Sequence, residues 1–415
     1  MPQHHAAPAD VLPVAGAQEG STMVPDASQR QRYMTADVQL AVQRALQTRQ
    51  ALSDQPNYAS TPEGEAYFSP ETCARLICAL LKQLAEKLDV VRKCAGEALE
   101  QLISSNSPRI PYMPSRPALV EALQLSNRPA LVGSGASDMT WASSNWALAH
   151  VTFPMVVKLI LLDEYHEAVV AGLVVSVGGL TEAVVKSASS SLLQLTKSLD
   201  KAKAKRDISH LGHTLVALFA AHRKDDRVIV PLLKTSEVLL ESGAFNVLRE
   251  MPAADGDSDA SASSSGWGLE LLAAVKLELY GCRDVKKLFG AIDVYLGLLT
   301  FGERVRTDVL KQCLMLLAHR YPRVRKFAAE RLYTKILVSD GVLPTQELCD
   351  RVSEMLSAVA WDGELEEIKP SQLELAALLE IELPAPKKAG ERKQSTKSKA
   401  DELESYQFLV RDAGY

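Results

Sequence analysis

Apolar residues recur at helical spacing through most of the chain beyond residue 70, and the sequence has no convincing alternation of the kind that predicts strands. The spacing predicts helices over about 70–87 and 90–103 and a short helix around 117–125. Further helices are predicted over about 154–177, 182–199, 208–222, 227–242, 267–280, 284–300, 304–319, 323–338, 345–360 and 371–382. Many helices joined by short turns favour an all-α fold, an α-solenoid of HEAT/armadillo type built from stacked antiparallel helix pairs.

Local signals set the ends of some helices. Ser69, Pro70 and Glu71 place a capping hydroxyl, a proline and an acid at the start of the first helix. Ser371 and Glu374 have the spacing of a capping box, which predicts the start of the last helix there. The apolar stripe predicted for that helix consists of Leu373, Ala377 and Leu378.

Composition divides the chain into three parts. Residues 1–30 are rich in Ala, Pro, Gln and Ser and predict a disordered leader. The solenoid is predicted over 31–383, with an irregular insertion at 104–150 and a flexible, serine-rich acidic loop at 252–266. Residues 384–415 form a polar, basic tail.

One nine-residue motif occurs twice. VRKCAGEAL at 91–99 and VRKFAAERL at 324–332 agree in six of nine positions. On a helical wheel Arg92 and Arg325 fall inside the apolar arc, whereas Lys93 and Lys326 face outward. We therefore interpret the two arginines as seam residues between stacked repeats, each offering its guanidinium to a neighbouring carboxylate or helix end. The alternative is a phosphate-binding basic pair.

A weaker third copy of the motif is predicted in the helix that follows Gly179. Its apolar positions are Val184, Ala188 and Leu192. The separations between copies are near multiples of roughly 47 residues, within the HEAT/armadillo range.

Charge and cysteine usage narrow the function classes. Lys+Arg 46 against Asp+Glu 51 gives a net charge of −5, which disfavours nucleic acid as a partner. The six scattered cysteines predict free thiols in a reducing compartment. The longest nearly apolar run, 168–180, is too short for the ~20 residues that cross a bilayer, so we expect no membrane span and a cytosolic protein.

Candidate chemistry is sparse. His210 and His213 have i,i+3 spacing but no third ligand nearby, and GSGASD at 133–138 lacks the G-K-[ST] of a phosphate loop. Carboxylates such as Glu366 and Glu367 fit exposed positions. We predict no metal, no cofactor and no catalytic residue. The alternatives are a generic HEAT-repeat adaptor for another multiprotein complex and a helical enzyme with a hidden site.

Several stretches together resemble a known family. They are IPYMPSRPAL at 110–119, YHEAVVAGLVVSVGGLTE at 165–182, RVIVPLLKTSEVLLESGAF at 227–245, LMLLAHRYPRVRKFAAERLYTKIL at 314–337 and AWDGEL at 360–365. In order and approximate spacing they resemble the C-terminal part of the tubulin-folding cofactor D family, from about 70 to about 383. The family's N-terminal repeats have no counterpart here, so we expect a truncated product or a separate C-terminal chain.

The resemblance implies a non-catalytic scaffold that acts after the cytosolic chaperonin. Its implied partners are β-tubulin, tubulin-folding cofactors E and C and an ARF-like small GTPase, and the assembled cofactors stimulate GTP hydrolysis by tubulin. The implied location is the cytoplasm, with microtubules and the centrosome as further sites. Candidate partner contacts are Trp361 and Asp362 in the family-like turn, and Trp141 and Trp146 in the long insertion. For Trp361 the alternative is packing on the final helix.

Overall fold

The computed structural model describes residues 70–104, 113–125, 145–179, 181–249 and 266–384. Within these ranges the structure has fourteen α-helices and no β-strand, which confirms the all-α prediction. The helices are α1 Pro70–Leu84, α2 Asp89–Ser104, α3 Arg116–Ala122, α4 Ala149–Val156, α5 His166–Val177, α6 Glu182–Ser198, α7 Lys201–Ala221, α8 Asp226–Glu241, α9 Trp267–Leu279, α10 Val285–Leu298, α11 Glu303–Leu317, α12 Pro322–Val338, α13 Gln346–Ala358 and α14 Leu365–Leu378. Two short 3₁₀ segments, Val157–Leu161 and Ala244–Leu248, follow α4 and α8.

Alternate helices contact one another along the stack. Helices α8, α10 and α12 form one row, which continues through α5 to α1, and α7, α9 and α11 form the other. Each short turn joins a helix of one row to a helix of the other, so consecutive helices run antiparallel. The last pair of helices departs from this alternation. Helix α13 contacts α12, and α14 contacts α11, so α13 lies beside the row of α12 and α14 beside the row of α11. The arrangement is consistent with the predicted α-solenoid, and its assignment to the HEAT type stays a prediction.

A single apolar core runs through the described residues, from Ile77 in α1 to Ile381 after α14. Close helix contacts in this core depend on small residues. A Cβ added to Gly172 of α5 would lie 2.4 Å from the carbonyl oxygen of Lys82 in α1, so only glycine allows that approach. The glycine of the GLVVSV stretch therefore sets the distance between α1 and α5.

Several helix boundaries differ from the prediction. The helix expected over 154–177 is divided at residues 162–165, where the polar stretch DEYHE interrupts the apolar run and the His166 ring nitrogen Nδ1 bonds the Ile160 carbonyl at 2.7 Å. Helix α7 begins at Lys201 instead of 208. Its first turns contain Lys, Ala and Arg, which have high helix propensity and need no apolar face.

The capping-box prediction for the last helix is wrong. Helix α14 begins at Leu365 after Glu364, because acids occupy its first turn and Pro370 is tolerated inside the helix. Ser371 therefore lies in the middle of the helix. The buried face contains Ile368, Gln372, Leu375 and Ala376, whereas Leu373 of the predicted stripe is 59% exposed.

The remaining predictions concern the third copy of the motif, the cysteines, membrane-spanning helices and the segments outside the solenoid. In the weaker third copy, Ala188 and Leu192 are buried and Val184 is half-buried. All six cysteines lie within the described residues and form no disulfide there, and two of them are buried and four half-buried. Within the described ranges, no helix combines the length and the apolar character needed to cross a membrane. The predicted leader 1–30, most of the insertion, residues 252–265 and residues 385–415 lie outside the described residues.

Candidate functional site

Arg92 holds two chain segments together through backbone carbonyls. Its side chain is 2% exposed, and Nη1 donates to the carbonyls of Glu86 and Lys87, at 2.9 and 2.8 Å, in the turn before α2. Nη2 donates to the carbonyl of Ala147, which precedes α4. The guanidinium also lies 5.4 Å from the ring centroid of Phe153. We call this set of contacts the first arginine clamp.

Arg325 makes an equivalent set of contacts at the other end of the stack. The side chain is again 2% exposed. Nη1 donates to the carbonyl of His319 at 2.8 Å, in the turn before α12. Nε and Nη2 donate to the carbonyls of Trp361 and Gly363, at 2.9 and 2.5 Å, in the turn between α13 and α14. This second arginine clamp therefore joins two neighbouring turns on one edge of the stack.

The two clamps share more than the sequence motif. Each arginine donates to the carbonyl six residues before it, and each also binds a segment next to a tryptophan. They differ at one atom. The Nε of Arg325 donates to the Trp361 carbonyl, whereas the Nε of Arg92 has no hydrogen-bond partner among the described residues, and the Trp146 carbonyl accepts the Thr152 hydroxyl at 2.9 Å. The fixed planar fork of arginine can reach several carbonyls at once, which explains why this residue type occupies both positions.

The lysine next to each arginine has an exposed position, as the helical wheel indicates. Lys93 lies 3.9 Å from Glu97 one turn along α2. Lys326 instead lies 3.3 Å from Asp362 in the α13–α14 turn, and this partner lowers the pKa of Asp362. Both pairs are solvent-exposed, so each contributes little to stability. Asp362 is the exposed member of the two candidate contacts in this turn.

The tryptophans named as candidate contacts have different environments. Trp361 is 4% exposed, and its indole N–H donates to the Leu356 carbonyl at 2.8 Å. Trp146 is 1% exposed, and its indole N–H donates to the Glu100 carboxylate at 3.1 Å. Neither indole presents a substantial surface to a partner in this conformation. Trp141 lies outside the described residues.

Gly96, inside the first motif, lies directly under Trp146. A Cβ at this position would be 2.3 Å from Cγ of the indole, so we expect Gly96→Ala to displace the ring and to lower the free energy of unfolding by about 1–3 kcal/mol. Urea unfolding with Trp fluorescence measures the change. The second motif has the buried Ala329 at the equivalent position, and Ala329→Gly serves as the comparison, expected to cost about 1–2 kcal/mol through lost helix propensity and a lost buried methyl group. An unchanged midpoint for Gly96→Ala would contradict the contact.

His210 and His213 do not share a site. His210 stacks on His166 with ring centroids 3.7 Å apart, and its Nδ1 lies 3.8 Å from Asp163. His213 donates from Nδ1 to the Ser209 carbonyl at 2.7 Å, and its Nε2 faces Glu270 at 3.6 Å. In the part of the chain that the structure describes, no three or more His, Cys, Asp or Glu residues are placed to hold a metal ion. Glu366 is exposed at the start of α14, 4.0 Å from Lys369.

Sequence reasoning missed a buried charge cluster that also connects neighbouring turns. Lys287 of α10 and Glu278 of α9 are 4% and 2% exposed, with Nζ and Oε1 2.9 Å apart. Lys287 also pairs with Asp226 of α8, and Glu278 accepts the backbone N–H of Lys224 at 3.0 Å. Although burial lowers the pKa of Lys287, its hydrogen bonds to Asp226 and Glu278 raise that pKa above the usual value. We call these residues the lysine latch.

The sequence contains one spacing that points to the position of Lys287 in the lysine latch. Arg92 follows Asp89 by three residues, and Lys287 follows the helix-capping Asp284 by the same interval. The two basic residues therefore follow an aspartate near the start of their helices by the same interval. The identity of the acceptor cannot be deduced from this spacing, because Glu278 belongs to the preceding helix.

His319, whose carbonyl accepts a hydrogen bond from Arg325 in the second arginine clamp, makes the stability of the protein depend on pH. Its Nδ1 accepts the backbone N–H of Tyr321 at 3.2 Å, and burial, together with Arg320 and Arg325, lowers the pKa of His319 to about 4. In the unfolded chain the pKa of a histidine is about 6.5, so the unfolded chain takes up this proton before the folded protein does. The free energy of unfolding therefore has its full value above about pH 6.5 and falls as the pH approaches about 4. We expect a loss of up to about 3 kcal/mol over that interval.

The control for this pH dependence is His319→Asn, which keeps a hydrogen-bond acceptor and removes the titration. Urea unfolding of both proteins at several pH values between 4 and 7 isolates the contribution of His319 from that of other groups. Parallel stability curves for the two proteins would contradict the assignment.

Two comparisons with known proteins bear on this architecture. A scan against protein-family models matches residues 74–287 to the model described as "Tubulin folding cofactor D C terminal". The match begins in α1 and ends in α10, so the stretches at 314–337 and 360–365 lie beyond it. No solved structure matches the chain.

Proposed function

The chain belongs to the tubulin folding cofactor D C-terminal family, and on that premise we propose that it is a non-catalytic scaffold of tubulin folding. The family match over residues 74–287, which covers about half of the chain, is the observation that carries the proposal. It includes the first arginine clamp and the lysine latch, the contacts that fix neighbouring turns relative to each other. A scaffold that binds by shape requires such fixed positions.

At finer detail, we propose β-tubulin as the principal partner. Cofactors E and C and an ARF-like small GTPase complete the assembly, in which the αβ-tubulin heterodimer forms or dissociates. Stimulation of GTP hydrolysis by tubulin belongs to that assembly, with no catalytic residue from this chain. The proposed location is the cytoplasm, including microtubules and the centrosome. The continuous core from Ile77 to Ile381 supports the proposal, because it holds the stacked helices together as one folded unit.

A pull-down tests the proposal. The full chain is immobilised and incubated with β-tubulin and with cofactor E in separate reactions, after circular dichroism has established that the sample is helical. Retention of β-tubulin is the expected result. If a folded sample retained neither β-tubulin nor cofactor E, the proposed function would be wrong for this chain.

The generic HEAT adaptor makes a different prediction for the same chain. An unbiased affinity purification would then recover partners unrelated to tubulin, and loss of the protein would leave the amount of assembled tubulin unchanged. Recovery of β-tubulin together with the other cofactors supports the scaffold instead.

A further inference from the structure

A groove lies between α11 and the last pair of helices, α13 and α14. Its volume is about 550 Å³, and its walls are the first turns of α11, the loop before α13 with the first turns of that helix, and the end of α14 with the residues that follow. The apolar part of the lining includes Leu348, Leu378 and Leu379, which are half-buried and therefore still present surface to a ligand. We call this cavity the α11–α13 groove.

Two arginines in the groove have no partner among the described residues. Arg306 of α11 is half-buried and Arg351 of α13 is exposed, and neither guanidinium forms a hydrogen bond or an ion pair within the described chain. The carboxylates of Glu303, Glu347 and Glu380 also line the groove. A ligand that complements the groove therefore combines an apolar face with side chains of both charges, and carboxylates are its natural partners for the two arginines.

The chain leaves the last helix along this groove. After the end of α14, Glu380 has a left-handed conformation with a φ of 54°. The N–H of Ile381 then donates to the Ala376 carbonyl at 2.9 Å, a hydrogen bond that turns the chain back against the helix. Ile381 is buried and lines the groove, and Leu383 packs against the core. The sequence that follows therefore starts beside the groove.

A segment with both apolar and charged residues follows at a short distance. It is DELESYQFLVR at 401–411, which we call the acidic-apolar segment, and residues 385–400 separate it from the described chain. A random coil of sixteen residues has an r.m.s. end-to-end distance of about 20–24 Å. Attachment at that distance gives an effective concentration in the millimolar range, so a Kd below about 1 mM is enough to keep the segment in the groove.

The residue pattern of the segment matches the lining of the groove. At about 100° per residue, Leu403, Tyr406 and Val410 fall within about 60° of one another on a helical wheel. Glu402 and Glu404 lie on the two flanks of this apolar stripe. A helix with this pattern presents its carboxylates beside the apolar side chains, as the arginines and leucines of the groove require.

We propose that the acidic-apolar segment binds in the α11–α13 groove of its own chain as an amphipathic helix. Its apolar stripe packs on the half-buried leucines, its acids pair with Arg306 and Arg351, and Arg411 faces the carboxylates of the groove. The nearer run 387–399 has six basic residues and no apolar side chain larger than alanine, so it fits only those carboxylates. The bound segment closes the groove, and a partner of this surface has to displace it. This inference does not depend on the proposed function.

Photo-crosslinking within the full chain tests the proposal. The photoreactive residue p-benzoylphenylalanine replaces Tyr406, and mass spectrometry identifies the peptides to which it crosslinks. We expect crosslinks within one chain to residues 303–310, 343–351 and 378–381, which form the walls of the groove. The same probe in place of Ser395, in the basic run, is the control, and we expect it to give at most about a third of that yield.

Variants of the groove test the charge pairing. Arg306→Glu with Arg351→Glu is expected to lower the yield of the crosslinks from position 406 at least about threefold. The control, Arg304→Glu with Lys369→Glu, changes the net charge equally at exposed positions outside the groove, and we expect less than about a twofold change.

Variants of the segment complete the test without any change in the described helices. Glu402→Lys with Glu404→Lys, combined with the double variant of the groove, is expected to restore the crosslinks, because the charges are exchanged between the two sides. Leu403→Ser with Val410→Ser, in the otherwise unmodified chain, is expected to lower the yield at least about threefold. This second pair keeps the proposal testable if the groove variant does not fold.

Four results would overturn the proposal. They are crosslinks from position 406 outside the groove, equal or higher yields from position 395, an unchanged yield in the Leu403→Ser, Val410→Ser protein, and crosslinks that join two chains. A higher yield from position 395 would assign the groove to the basic run, and crosslinked dimers would assign it to the segment of a second copy.

Discussion

Replacing Arg325 by alanine is expected to lower the free energy of unfolding by about 3–5 kcal/mol. The guanidinium donates to three carbonyls from two turns, and alanine leaves the His319, Trp361 and Gly363 carbonyls without these donors. Buried carbonyls without donors carry a desolvation cost, and the missing side chain leaves a cavity as well. Urea unfolding gives the free energy, and hydrogen exchange locates the change in the α13–α14 turn.

The matched control is Lys326→Ala, the next residue of the same motif. Its exposed pair with Asp362 predicts a change within about 0.5 kcal/mol. Arg325→Lys is expected to fall between the two, because an ammonium keeps the charge but lacks the planar fork. If Arg325→Ala were as stable as Lys326→Ala, the second clamp would have no structural role.

The second large effect is expected at the lysine latch. Lys287→Met leaves the Glu278 carboxylate buried without its ammonium partner, and loss of one member of such a pair costs about 3–5 kcal/mol. The unpaired carboxylate then favours the protonated form, so the destabilisation is larger at pH 8 than at pH 5. Chemical unfolding at the two pH values measures both quantities.

The double variant Lys287→Met with Glu278→Gln is the control for this change. Glutamine carries no charge and still offers an oxygen to the backbone N–H of Lys224. We expect the double variant to be more stable than Lys287→Met alone and to lose the difference between pH 5 and pH 8. A double variant as unstable as the single variant would show that the buried charge is not the cause.

Much of the architecture follows from the apolar spacing. Because Arg92 and Arg325 lie within the apolar arc of their helices, the sequence places both side chains at a packed seam. The sequence alone does not identify the carbonyls that accept their hydrogen bonds, because the Trp361 and Gly363 carbonyls belong to a turn 36 and 38 residues after Arg325. The charge-rich start of α7 and the acidic start of α14 contain too few apolar residues for a clear helical pattern, and the predicted boundaries differ from the observed ones there.

The most direct measurement compares the affinities of the full chain and of Arg325→Ala for β-tubulin and for cofactor E, under conditions where both proteins are folded. If the repeated motif is structural, the variant weakens both affinities by the same factor or leaves both unchanged. An Arg325→Ala protein that is as stable as the unmodified chain and has lost β-tubulin alone would contradict this account.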